Sequence, residues 1–185
     1  MSFLPINLDD LIHTRSIESI RVEYKKTWNP VIMESVIHSI CAYANDFFNL
    51  NGGYIIIGIE EKEGRPLLPP FGVDDIDLDQ FQKDVRGQCN RFIPEYQPLI
   101  VPVTYMNKQL MVIYAPAGEA RPYQAPVAVR GGEKAYYIRQ GSQSVHAQGN
   151  YLTQLLQMTE RIPFDDRRNY ETTVDDLSPT LVRSF

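Results

Sequence analysis

Residues 29–59 read NPVIMESVIHSICAYANDFFNLNGGYIIIGI. Asn29 and Pro30 supply a cap and a first-turn proline, and Met33, Val36, Ile37, Ile40, Cys41, Ala44 and Phe47 then recur at three- and four-residue spacing. That pattern predicts a helix. The polar run 49–53 ends it in Gly52-Gly53, and the following Tyr54-Ile55-Ile56-Ile57-Gly58-Ile59 shows no polar alternation. Such a run reads as a strand buried on both faces, which needs a packed layer on either side.

Working outward, residues 8–12 form a short apolar opening. From Ile20 the chain alternates, with Ile20, Val22 and Tyr24 on one side and Arg21, Glu23 and Lys25 on the other, the periodicity of a strand with one buried face. Asp77 begins a second helix, with Gln80 completing a capping box and Leu78, Phe81, Val85, Cys89 and Phe92 as its apolar stripe. Strands are expected at 100–105 and 110–115 around a turn at Asn107-Lys108. A hairpin of 127–130 with 134–139 is expected around Gly131-Gly132, and a last amphipathic helix at 151–159. Together these predict one α+β domain over residues 8–160. Residues 161–173 are polar and aperiodic, a linker or surface arm, and Ser178-Pro179 opens a further helix over Leu181, Val182 and Phe185. A helix that starts there fits a piece of a longer protein or a short docking tail.

At 185 residues and 43% apolar content, the chain can bury one sizeable core but is short for two. It carries no apolar run of membrane-spanning length and no signal-peptide pattern, so a cytoplasmic protein is expected. Cys41 and Cys89 have no CxxC spacing and sit among apolar neighbours, as buried free thiols do. His13, His38 and His146 are scattered, so no histidine-rich metal site is readable. The formal net charge of −5 argues against indiscriminate nucleic-acid binding, yet residues 60–84 alone hold eight acids against three bases. Basic clusters therefore survive at Arg15, Arg21, Lys25 and Lys26, and at Arg121, Arg130, Lys134 and Arg139, as solvated faces or as phosphate contacts.

No phosphate-binding loop or dinucleotide-binding turn is present, which argues against ATP hydrolysis by this chain. No nucleophile elbow or cysteine–histidine pair is readable either. What remains is a carboxylate constellation: Glu18, Glu23 with Lys25 two residues on, and Glu60-Glu61 after the buried strand. Converging carboxylates can hold Mg²⁺ or Mn²⁺, with a lysine steadying phosphodiester charge, although surface acids of no chemical role read the same way. Tyr136 and Tyr137 suit base stacking or core filling. Arg139 beside the Gly141-Ser142 turn suits anion binding or an internal salt bridge. Trp28, just before a helix cap, suits a hydrophobic staple better than a ligand stack.

The order of these signals resembles the Schlafen AlbA-type domain: Glu18-x4-Glu23-Tyr24-Lys25, then Ala42-Tyr43-Ala44-Asn45, Gly52-Gly53, Ile57-Gly58-Ile59-Glu60-Glu61, and Tyr137-Ile138-Arg139-Gln140-Gly141-Ser142. The resemblance runs over residues 11–159. It implies a mixed central β-sheet flanked by helices and a DNA- or RNA-binding domain of bacterial transcriptional regulators or helicase-related proteins. In the family's nuclease branch three acids and a divalent metal cleave structured RNA, and those positions fall on Glu18, Glu23 and Glu61. The third is usually aspartate, so Glu61 lengthens the site by a methylene, and residues 46–51 lengthen the turn beside it.

Three functions follow as expectations. A nucleic-acid-binding module would use Lys25, Lys26, Arg121, Arg130, Lys134, Arg139 and Ser142. A Schlafen-type endoribonuclease would add Glu18, Glu23 and Glu61 as catalytic metal ligands for Mg²⁺ or Mn²⁺, assisted by Lys25. An assembly module would dimerise or dock partner domains.

Overall fold

The computed structural model describes residues 4, 7–14 and 20–160. Arg15, Glu18 and the expected tail 161–185 lie outside the described residues. Strand β1 (Val22–Lys25), helix α1 (Pro30–Asn45) and strand β2 (Gly53–Ile57) form a β-α-β unit whose strands run parallel, with Val22 opposite Tyr54 and Lys25 opposite Ile57. Two short strands, β3 (Glu61–Lys62) and β4 (Arg65–Pro66), make a small ribbon after β2. Helix α2 (Leu78–Cys89) follows, then β5 (Leu99–Tyr105) and β6 (Lys108–Ala115). β6 adds antiparallel to β2, giving a mixed four-stranded sheet in the order β1-β2-β6-β5. A second, antiparallel sheet joins β7 (Gln124–Pro126), β8 (Lys134–Gln140) and β9 (Gln143–His146), and α3 (Gly149–Glu160) closes the described chain.

Helix α1 forms where the sequence places it. Asn29 Oδ1 accepts the N–H groups of Val31 and Ile32 at 3.0 Å each, Pro30 needs no donor in the first turn, and Asp46 ends the helix with φ 42°. Its C-terminal half is buried all round because it lies between the two sheets. Ile55, Ile57, Met111 and Ile113 belong to the same core as Ala125, Ala135 and Tyr137, with α1 contributing Val36, Ile37, Ile40 and Tyr43. The opposite face of the four-stranded sheet, with Tyr24, Tyr54, Ile56 and Val112, is covered by Leu8, Leu11 and Ile12 of the N-terminal segment, part of which (Asp10–Thr14) is a π-helix. β2 is therefore buried on both faces, as its unbroken apolar run requires. Fully burying each of its three isoleucines contributes about 1.5–3 kcal/mol.

Two readings need correction. The polar side of β1 is not a solvent face: Glu23 is 3% exposed, because α1 and the second sheet cover it. The hairpin after residue 120 pairs β7 with β8, Ala125 opposite Ala135 and Pro126 opposite Lys134, and leaves residues 127–133 as a loop. The reason is non-local. Arg91 donates to the carbonyls of Val129 and Gly131, and His38 Nε2 lies against those of Pro126, the last residue of β7, and Val127, so beyond Pro126 the carbonyls are engaged by α1 and the end of α2. Strand β9 pairs back on β8 after Gly141-Ser142, with Ile138 opposite Val145 and Arg139 opposite Ser144, in a stretch where the sequence pattern predicts no strand.

Candidate functional site

Three elements converge where β1 ends. β1 supplies Glu23 and Lys25, α1 supplies Ser35, His38 and Ser39, and the β8–β9 turn supplies Arg139, Ser142 and Ser144 around a cavity of about 280 Å³. Strand alternation turns Glu23 and Lys25 toward α1 while Val22 and Tyr24 fill the opposite core. Ser35 and Ser39 stand one helical turn apart, as polar breaks in an otherwise apolar helix.

Glu23 organises the cavity. One carboxylate oxygen pairs with Lys25 Nζ at 2.8 Å, and the other accepts from Arg139 Nη1 at 2.7 Å and from Ser39 Oγ at 2.6 Å. Arg139 Nη1 also donates to Ser144 Oγ at 2.9 Å, and Nη2 donates to the Ser142 carbonyl at 2.7 Å. Since the Ser39 proton goes to Glu23, the 2.9 Å contact between Ser39 and Ser144 is donated by Ser144. The result is a closed ring from Arg139 through Ser144 and Ser39 to Glu23. The Arg139 guanidinium also lies 5.1 Å from the Tyr43 ring centre. Two cations face one carboxylate, so the cavity carries a net positive charge in a chain whose formal charge is −5. His38 adds no charge at neutral pH, because burial lowers its pKa below the ordinary value.

The other predicted residues are placed elsewhere. Glu61 accepts the Gly64 N–H inside the β3–β4 turn and does not line the cavity. Lys26 pairs with Glu60 at 3.1 Å and sits 3.9 Å from the Phe71 ring centre. Arg121 clamps the 46–51 turn, through the Asp46 carbonyl at 3.2 Å and Asn49 Oδ1 at 2.9 Å. Arg130 is exposed in the 127–133 loop, and Lys134 begins β8 opposite Pro126. The structure thus brings Lys25, Arg139 and Ser142 together with Glu23, and leaves Lys26, Arg121, Arg130, Lys134 and Glu61 outside that cavity. Ser39, Ser144 and His38 belong to it and were not singled out by sequence.

For a metal the fit is poor among the described residues. No three His, Cys, Asp or Glu side chains gather to hold an ion, and both oxygens of Glu23 already face cations. Glu18 lies outside the described residues.

Residues 18–148 match the family model described as Schlafen, AlbA_2. The chain belongs to that family. No curated protein matches the chain. Among solved structures, the DIP2311 protein from Corynebacterium diphtheriae aligns with a TM-score of 0.51 at 17% identity, over 90% of this chain. The chain spans only 33% of that protein, and the likeness is one of fold. The N-terminal domain of a Nitrosomonas europaea protein described as related to the ATP-dependent DNA helicase RecG aligns with a TM-score of 0.50 at 26% identity, over 77% of this chain and 92% of that domain. The mixed sheet flanked by helices is thus the architecture of a Schlafen AlbA_2 domain. No helix among the described residues is long and apolar enough to cross a membrane.

Proposed function

We propose that this Schlafen AlbA_2 domain binds nucleic acid, DNA or RNA, by holding a backbone phosphate at the Lys25 cavity, and that it serves as the nucleic-acid-holding module of a transcriptional regulator. The observation that carries the reading is the charge of that cavity: Lys25 and Arg139 outnumber Glu23, and serine hydroxyls complete the lining. Hydroxyls and cations on a rigid frame are the groups that contact phosphate oxygens. The RecG-related neighbour supports a role with nucleic acid.

The endoribonuclease reading asks more of the same residues. Glu23 would have to leave Lys25 and Arg139, and Glu61 its own turn, before either could bind Mg²⁺ or Mn²⁺. Phosphate holding requires neither change.

The test is retention of labelled tRNA and of single- and double-stranded DNA across a salt series, with Mn²⁺ or with chelator. Salt-sensitive retention without cutting is expected in both conditions. Lys25→Ala should weaken it and lower the salt slope by about 0.9 for each phosphate that is no longer neutralised. Retention insensitive to salt and to Lys25→Ala would overturn the reading, and cutting abolished by chelator would replace it with the nuclease.

A further inference from the structure

A second hollow, larger than the Lys25 cavity, has no charged side chain among its described lining residues. It lies between the 46–51 turn and α3, has a volume of about 600 Å³, and is lined chiefly by Phe47, Asn49, Asn150, Gln154, Gln157 and Met158. That size suits a small organic ligand. Its chemistry is narrow: side-chain amides that both donate and accept, with the Thr153 hydroxyl, one aromatic ring and one thioether. Among the described lining residues there is no cation for an anion and no carboxylate for a cation, Arg121 standing behind Asn49 with its guanidinium on the Asn49 oxygen. A neutral, planar group with mixed donors and acceptors on its edge fits this lining, and a nucleobase is such a group.

A third, small hollow shares one lining residue with the Lys25 cavity and one with this hollow. Arg139 lines both the cavity and this middle hollow, and Phe47 lines both the middle hollow and the amide groove. Phe48, 49% exposed, stands in the middle hollow with its ring edge-on to Phe47 at 5.2 Å. Tyr151 is 42% exposed; its ring lies 5.9 Å from Phe47, and its hydroxyl accepts from Gln140 Nε2 at 2.9 Å. Exposed aromatic rings beside an amide-lined groove, in a domain that also carries a basic cavity, are the kinds of surface that an unpaired strand uses. The Asn49 amide is oriented for this role, since Arg121 holds its oxygen and so turns its two N–H donors elsewhere.

Resting on the phosphate reading above, we propose that the groove between the 46–51 turn and α3 is a nucleobase site, and that the domain's ligand is unpaired nucleic acid, a single strand or a loop. A duplex cannot use the site, because its bases are stacked and their edges paired.

The experiment compares fluorescence anisotropy of the full chain with a short labelled single strand, its duplex, and an abasic strand of equal length. The single strand should bind about tenfold tighter than the other two. The double variant Gln154→Ala/Gln157→Ala changes exposed side chains and should keep the melting temperature, while lowering single-strand affinity to the abasic level without altering the salt slope. Lys25→Ala should instead weaken all three ligands. Equal binding of abasic or duplex ligand, or a double variant that binds as the parent does, would overturn the base site and leave phosphate holding intact. Failure to hold any of the three would overturn both.

Discussion

Arg139 Nη1 and Glu23 Oε2 meet at 2.7 Å with both side chains 4% exposed, tying β1 of the four-stranded sheet to β8 of the three-stranded one across α1. A buried pair is weak support for stability as a whole, but removing one member leaves the other charge without compensation. Glu23→Ala is therefore expected to lower unfolding free energy by about 3–5 kcal/mol in urea titrations. Glu23→Gln separates structure from function. It keeps the volume and much of the hydrogen bonding while raising the cavity's positive charge, so nucleic-acid retention should strengthen even as stability falls. A metal ligand would respond in the opposite way, with activity lost, and weaker retention by Glu23→Gln would contradict phosphate holding.

That pair also marks the limit of what could be read from the chain alone. Local signals carried the elements: Asn29-Pro30 opened α1, and three successive isoleucines announced a strand with two covered faces. Gly52-Gly53 was legible as a turn and has a steric reason beyond it. A Cβ at Gly53 would lie 2.2 Å from the Tyr43 ring, and Gly52, at φ 75°, lies where a Cβ would meet the Ala115 carbonyl at 2.0 Å. The site was legible in part. Glu23, Lys25, Arg139 and Ser142 could be picked out by type, and a salt bridge was one of the two readings of Arg139. Nothing in local spacing, however, shows that residues 116 apart in sequence are partners. Ser39 and Ser144 are small hydroxyls of a common kind, and only the packing of α1 against β9 makes them a relay.

Asn45 holds the same interface one helical turn and more further along α1. Its amide donates to the carbonyls of Tyr123 at 3.0 Å and Tyr137 at 2.8 Å, and its oxygen accepts the Tyr123 N–H at 2.6 Å, all with no exposure to solvent. Asn45→Ala strips the Tyr123 N–H of its partner and takes an N–H donor from two buried carbonyls, of which that of Tyr123 keeps only the weak Cys41 thiol, at about 1–3 kcal/mol for each group left unsatisfied. A fall in melting temperature corresponding to roughly 3 kcal/mol or more is expected. Asn45→Asp keeps the acceptor but loses both donors and brings a charge against two carbonyls, so it should be the more damaging at neutral pH. An Asp variant as stable as the parent would show that this staple does not hold α1 to the second sheet.

His38 gives the fold a pH dependence of definite sign. Its Nε2 lies 3.1 Å from the Pro126 carbonyl and 3.2 Å from that of Val127; both groups only accept, so Nε2 carries the proton. The ring stacks on Tyr137 at 4.1 Å and 11°. Burial lowers the pKa below the ordinary 6.5, and the raising effects of those carbonyls and of Glu34 only partly oppose it. The unfolded chain, with its ordinary histidine, thus takes up a proton at a pH where the folded chain still refuses it. The contribution is fully present above the unfolded value, and stability falls as the pH drops from there through the folded value, with a slope of at most about 1.4 kcal/mol per pH unit. Urea midpoints should therefore decline as the pH is lowered through and below the ordinary histidine value of about 6.5, and His38→Gln, which keeps a donor for the two carbonyls but does not titrate, should flatten that decline. If parent and variant lose stability in parallel over the interval, the proton is taken up at another group.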